Sequence, residues 1–211
     1  ILETHLHADF VSGHLELARM TGATIYAPAA ANCEFAHRGL NDGEEVRIDS
    51  FLIKLIETPG HTPDGGCFVV SDLTRGPAPC LVFTGDVLLI GDVGRPDLFP
   101  AEKEQLAAML YRSLRKLEQL GDNVELYPAH GAGSLCGRAL SAKLWSTIGN
   151  ERLYNYALHI HPMDAFKEAL LTGMPEAPDH FARCSAINRA GPALVSELPA
   201  PRSLTPKQFA E

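Results

Sequence analysis

Two imidazoles and a carboxylate stand at alternating positions in Thr4-His5-Leu6-His7-Ala8-Asp9. The run follows the strand-like opening Ile1-Leu2-Glu3, so all three side chains can turn toward one point. Imidazole with carboxylate suits zinc, iron or manganese, whereas thiolates would favour zinc or copper(I). Taken alone, the motif could be a chance cluster of surface His and Asp. Three later segments make the same offer. Pro59-Gly60-His61-Thr62-Pro63 holds a histidine between two prolines that stiffen its backbone. Thr84-Gly85-Asp86 presents a carboxylate where glycine permits close approach. Tyr127-Pro128-Ala129-His130-Gly131 repeats the scheme. Four strand-end loops, each carrying His or Asp, point to a metal centre, because such residues sit on loops held by a rigid scaffold.

The elements that must position these loops are readable from pattern. Glu45–Ile48 and Phe51–Glu57 alternate as strands around a turn at Asp49-Ser50. Thr24–Ala27, Cys67–Ser71, Cys80–Thr84 and Val124–Tyr127 read as further strands. Ala101–Leu120 is the clearest helix: Leu106, Leu110, Leu114 and Leu117 recur at three- and four-residue steps and share one face. A first helix is expected over Gly13–Met20, capped by Ser12 and ended by Gly22. Later helices are expected at Leu140–Thr147, Asn150–Ala157, Asp164–Leu171 and Asp179–Arg189, with Gly173 and Gly191 closing the last two. Strands with interspersed helices, then a helical final third, make an α/β or α+β layered domain. The proline-rich tail Leu198–Pro206 reads as an extended linker.

Composition narrows the function. Of 211 residues, 45% are hydrophobic and 21% charged, a globular rather than a disordered balance. Asp and Glu number 26 against 18 Lys and Arg, a formal charge of −8, without basic runs, which argues against nucleic-acid or anionic-membrane partners. No apolar run approaches the roughly 20 residues of a membrane span. Five cysteines (Cys33, Cys67, Cys80, Cys136, Cys184) with no CxxC pair read as free thiols of a reducing, cytoplasmic setting.

The order THxHAD, PGHT, TGD and PAHG resembles the metallo-β-lactamase fold superfamily from Ile1 to about Gly191. The resemblance implies an αβ/βα sandwich with the metal site at the sheet edges, here lacking its first N-terminal strands. It divides the chain into a domain at 1–191 and a linker at 192–211. Most members carry HxHxDH in the first motif and build two metal sites. Here the last position is Phe10, which cannot ligate. The second site then keeps only Asp9, His130 and a bridge through Asp86, a weak set for a two-metal hydrolytic clamp. One metal is expected.

Thr4–His14, Ile90–Asp97 and His130-Gly131-Ala132-Gly133-Ser134 with Cys136-Gly137 resemble more narrowly the persulfide dioxygenases, especially those fused to a rhodanese domain. On that resemblance the tail leads into a rhodanese partner domain, and the chain is an excised middle domain. The family holds one Fe(II), which carried over falls to His5, His61 and Asp86, with zinc as the alternative. His7 and His130 would orient ligands or bound water, the alternative being that they ligate directly, and with Asp9 they are the expected catalytic groups. The implied reaction oxidises glutathione persulfide with O₂ to sulfite and glutathione. Arg95 and Arg138 are the expected cations for the substrate's carboxylates, each with a plainer reading as a structural ion pair. Cys136 could exchange sulfur or simply be buried, and His14, Tyr154 and Tyr156 read as packing residues. The main rival is a glyoxalase II-type zinc hydrolase of glutathione thioesters. A degenerate scaffold is a second rival, against which the intact His5, His61 and Asp86 argue. A sheet lacking strands exposes an edge that a homodimer would cover.

Overall fold

The computed structural model describes residues 1–200 and 203–210. A six-stranded mixed sheet forms the centre. It is built from β3 (Glu45–Ile48), β4 (Phe51–Glu57), β5 (Gly66–Asp72), β6 (Leu81–Gly85), β9 (Glu125–Pro128) and β10 (Ser146–Thr147), in the order β10-β9-β6-β5-β4-β3. Neighbours pair antiparallel except β6 with β9. Successive side chains of β5 point to opposite faces and are buried on both. Cys67 and Val69 join a core with Val82 and Leu126 beneath the helices. Phe68 and Val70 pack with Leu40, Ile53 and Leu55 on the other face. That second face is covered by the parallel pair β1 (Tyr26–Pro28) and β2 (Arg38–Leu40), which Leu2 extends through a bridge to Tyr26. The result is a layered α/β sandwich.

Helix α1 (His14–Thr21) flanks the small sheet. Helix α2 (Lys103–Leu117) lies on the large one, and its Leu106, Leu110, Leu114 and Leu117 are all buried. Burying each such leucine stabilises the fold by about 1.5–3 kcal/mol. Tyr111 of α2 meets Phe166 of α4 (Met163–Leu171) edge to face, with ring centroids 5.3 Å apart. The short pair β7 (Leu88–Leu89) and β8 (Asp92–Val93) precedes α2 in the chain, and helix α3 (Ile148–Tyr154) precedes α4. Helix α5 (Phe181–Ala190) returns to the small-sheet side, and α6 (Pro206–Ala210) closes the described chain. Among the described residues no helix is long and apolar enough to cross a membrane. All five cysteines are free.

Several expected elements shift. The helix expected at Leu140–Thr147 is absent. The segment is irregular until Ser146 pairs with Leu126, and the Thr147 hydroxyl then accepts the Asn150 N–H, so the helix starts only at Ile148. Ser12 does not cap α1; Gly13 holds that place, and the Ser12 N–H is taken by Asn188. The described residues of the expected linker before Pro206 carry no helix or strand; a 3₁₀ turn at Val195–Glu197 precedes it and a helix at Pro206–Ala210 follows. Pro201 and Arg202, within the expected linker, lie outside the described residues.

Candidate metal centre

Strands β4, β6 and β9 run in one direction, because β4 and β6 both pair antiparallel with β5 and β9 pairs parallel with β6. Their C-terminal ends therefore share one edge, and the loops carrying His61, Asp86 and His130 leave from it. The first motif joins them because the Gly66 N–H, at the start of β5, bonds to Thr4 O at 2.8 Å. Four loops distant in sequence meet by topology alone.

His5, His61 and Asp86 are buried, with one ligand-capable atom of each inside a sphere that a metal ion could fill. Asp86 Oδ2 lies 3.7 Å from His5 Nε2 and 3.3 Å from His61 Nε2. The His61 Nδ1–H donates to Arg95 O at 2.8 Å, which leaves Nε2, aimed at the centre, as the nitrogen a metal would take. His5 Nδ1 pairs with Thr4 Oγ1 at 3.0 Å and leaves its Nε2 likewise. Both Nε2 atoms are buried without a hydrogen-bond partner. Each orphan of that kind costs about 1–3 kcal/mol, and a cation between them removes the penalty. The donor set fits Fe(II) or Zn(II) equally well in chemical type.

A second trio, His7, Asp9 and His130, lies on the solvent side. His130 bridges two carboxylates: Nδ1 is 2.7 Å from Asp86 Oδ1, and Nε2 is 2.8 Å from Asp9 Oδ2. Phe10 stacks beside this trio, its ring centroid 4.5 Å from His7 and 6.5 Å from His130. An apolar ring thus stands next to the groups that would have to complete a second metal site. A groove of about 680 Å³ opens beyond it, between Phe10 and the neighbouring rings of Phe83 and Tyr127.

Charge follows from burial and proximity. Burial pulls the His61 imidazole down, but Asp86 and the Cys136 thiol beside it push it up to about 10. Burial works against the His130 imidazolium too, and Asp86, Asp9 and Cys136 together raise it to about 12. His5 goes the other way, held well below the usual imidazole range by burial and by the charge of His7. Burial would raise Asp86, yet the hydrogen bond with His130 and the nearby imidazoles of His61 and His5 hold it well below the usual carboxylate range.

The two arginines expected to meet substrate do something else. Arg95 is 2% exposed; Nε and Nη2 grip Asp97 at 2.6 and 2.8 Å, and its other bonds go to Leu135 O and Pro175 O. Arg138 donates to Ala169 O, Leu170 O and Thr172 O, closing the C-terminus of α4. These bonds order loops and a helix end, as in the plainer of the two readings given for each arginine. Cys136 is buried, with its sulfur within reach of Asp86 and His130. Tyr156 does not pack in the core: its hydroxyl donates to Asp92 Oδ1 at 2.9 Å. Tyr154 is exposed.

Three residues missed by the sequence reading shape the centre. Asp64 accepts the Leu6 N–H at 3.0 Å, between the two histidines of the first motif. Gly94 sits so close to Asp86 that a Cβ would lie 2.0 Å from the Asp86 carbonyl oxygen. Asn188 reaches the first motif from α5. Asp64 lies beside a motif already singled out and Gly94 within one; Asn188 has no local signal.

Comparison with known proteins agrees with this architecture. The metallo-beta-lactamase superfamily model matches residues 1–130. A hydroxyacylglutathione hydrolase of Methylococcus capsulatus is 34% identical over 136 residues, 62% of this chain and 47% of that protein. The chain spans about half the length of the curated relatives it matches. Among solved structures, a metallo-beta-lactamase from Staphylococcus aureus superposes with a TM-score of 0.84 at 31% identity, covering 92% of this chain and 58% of that one. ETHE1 from Myxococcus xanthus superposes with a TM-score of 0.73 at 27% identity, covering 90% and 75%. The similar curated proteins named here are hydroxyacylglutathione hydrolases, the alternative raised from the sequence rather than its main expectation.

Proposed function

Because the chain belongs to the metallo-beta-lactamase superfamily, we propose that it is a metal-dependent enzyme acting at a sulfur centre, with one Fe(II) held by His5, His61 and Asp86. The reaction we assign is oxidation of glutathione persulfide by O₂ and water to sulfite and glutathione. Phe10 carries this reading: it puts a non-ligating ring beside His7 and His130, where a second hydrolytic metal would need a ligand.

A ferrous ion bound by two imidazoles and one carboxylate supplies open positions for a sulfur ligand and O₂ together. The chain's own part is placement and proton handling. Arg95 O and Thr4 Oγ1 fix the ring planes of His61 and His5. His130, between Asp86 and Asp9, holds a proton beside the site and can pass it to Asp9, which is partly open to solvent. Phe10 keeps one side of the centre apolar. The segment at 192–211 is proposed as a linker toward a rhodanese-type partner.

The comparisons favour a second reading, hydrolysis of a glutathione thioester, because the matched curated relatives carry that name. It would use the trio His7, Asp9 and His130 as a second metal site sharing Asp86. One pair of assays separates the two. Iron-loaded chain given glutathione persulfide is expected to consume O₂ and form sulfite, with both lost in His61→Ala. Turnover of a glutathione thioester by zinc-loaded chain, with no O₂ uptake by the iron form, would replace the oxygenase by the hydrolase.

A further inference from the structure

The loop from His7 to Ser12 carries two of the six metal-site groups, His7 and Asp9, yet it belongs to no helix or strand. Its backbone polar groups must find partners elsewhere. Three of them find the same one. The Asn188 Nδ2 donates to His7 O at 2.9 Å and to Phe10 O at 2.8 Å. Its Oδ1 accepts the Ser12 N–H at 2.8 Å. The amide orientation is forced, because the flipped form would set an oxygen against two carbonyls. Asn188 is fully buried, 176 to 181 residues along the chain from the groups it holds.

A second contact acts in the same direction. Phe181, at the other end of α5, packs on Ala8, the residue between His7 and Asp9, and on Cys136. The helix carrying both contacts is tied down in turn, since Arg189 O accepts the Glu34 N–H at 2.8 Å. Helix α5 therefore grips the loop by side-chain hydrogen bonds at 7, 10 and 12 and by packing at 8.

We propose that Asn188 is a positioning residue of the metal centre: it fixes the His7–Ser12 loop, and through it the placement of His5, His7 and Asp9 against His61, Asp86 and His130. The inference rests on the metal reading above and adds to it a residue from the far end of the domain. No other side chain of similar size does the same. Leucine would leave the Phe10 carbonyl and the Ser12 N–H unpaired and His7 O with only the long contact from Ser185 Oγ at 3.5 Å, and aspartate keeps the acceptor but turns its second oxygen against two carbonyls.

The test is Co(II) affinity by chelator competition, together with the cobalt visible spectrum, for the wild-type chain, Asn188→Asp and Asn188→Ala. Leu117→Ala, a buried change on α2 away from the centre, controls for loss of stability alone. Loss of a group that orients metal ligands typically weakens binding by about 10- to 100-fold. We expect that loss, with an altered spectrum, in both Asn188 variants and neither effect in Leu117→Ala. A wild-type chain that takes up no Co(II) would overturn the metal reading itself. Wild-type uptake matched by both Asn188 variants, with an unchanged spectrum, would overturn the role of Asn188 and leave the metal reading intact. Hydrogen exchange on the metal-free wild type covers the case where the variants do not fold. The Ser12 amide is expected to be protected before metal is added, and a freely exchanging Ser12 amide would overturn the inference.

Discussion

Adding a single methyl at Gly94 tests how tightly the loop after Asp86 supports the metal ligands. A Cβ there would lie 2.0 Å from Asp86 O and 2.9 Å from His61 Nδ1, where ordinary contact begins at 3.4 Å. The backbone at Gly94 or Asp86 must therefore open by about 1.4 Å, the difference between 3.4 and 2.0 Å. The next residue, Arg95, accepts the His61 Nδ1–H at 2.8 Å, so a shift of that size breaks the bond. Overpacking of this kind costs about 1–3 kcal/mol and the lost hydrogen bond about 0.5–1.5 kcal/mol. We expect Gly94→Ala to lose about 2–4 kcal/mol in urea unfolding of the metal-free chain. Metal affinity is expected to fall by about 10- to 100-fold, because His61 loses the group that orients it. Gly13→Ala is the control: nothing lies within 4 Å of its Cβ and its φ is −94°. If Gly94→Ala matched the control in both stability and affinity, the close approach of these backbones would not be what orients His61.

Metal uptake should release protons, because His61 and His130 are pushed up to about 10 and about 12 in the metal-free chain. A metal bound at His61 Nε2 displaces at least one of them at neutral pH, so affinity should rise about tenfold per pH unit; titration at two pH values checks this, and a flat profile would refute it. Cys67, pushed up to about 12 by burial, and Cys33, raised to about 11 by burial and by the charges of Asp64 and Glu3, should resist alkylation near neutral pH until the chain is unfolded. Mass spectrometry of briefly alkylated protein reads this directly. Leu110→Ala, at the centre of the helix-side core, should cost about 2–5 kcal/mol in the same urea experiment.

What the sequence made legible follows the range of the forces involved. The β3–β4 hairpin matches its expected residues because alternation and the turn are local, with Asp49 in the left-handed region at φ 52°. Helix α2 was legible from four leucines on one face. The failure at Leu140–Thr147 is non-local, since pairing of β10 with β9 decides that segment. Arg95 and Arg138 were visible as charges, but their partners were not: Pro175 O is 80 residues from Arg95, and the carbonyls bound by Arg138 belong to the end of α4. The four metal-site motifs were readable because each is short and self-contained. Asn188 was invisible because its function exists only once α5 has folded back onto residues 7–12.

The number of metal ions per chain tests the central claim most directly. Anaerobically loaded chain, freed of excess metal and analysed for iron against protein, should hold one equivalent, lost in His61→Ala and in Asp86→Ala. Two equivalents per chain, with the second lost on changing Asp9 or His130, would contradict the one-metal account and place the chain with the two-metal hydrolases.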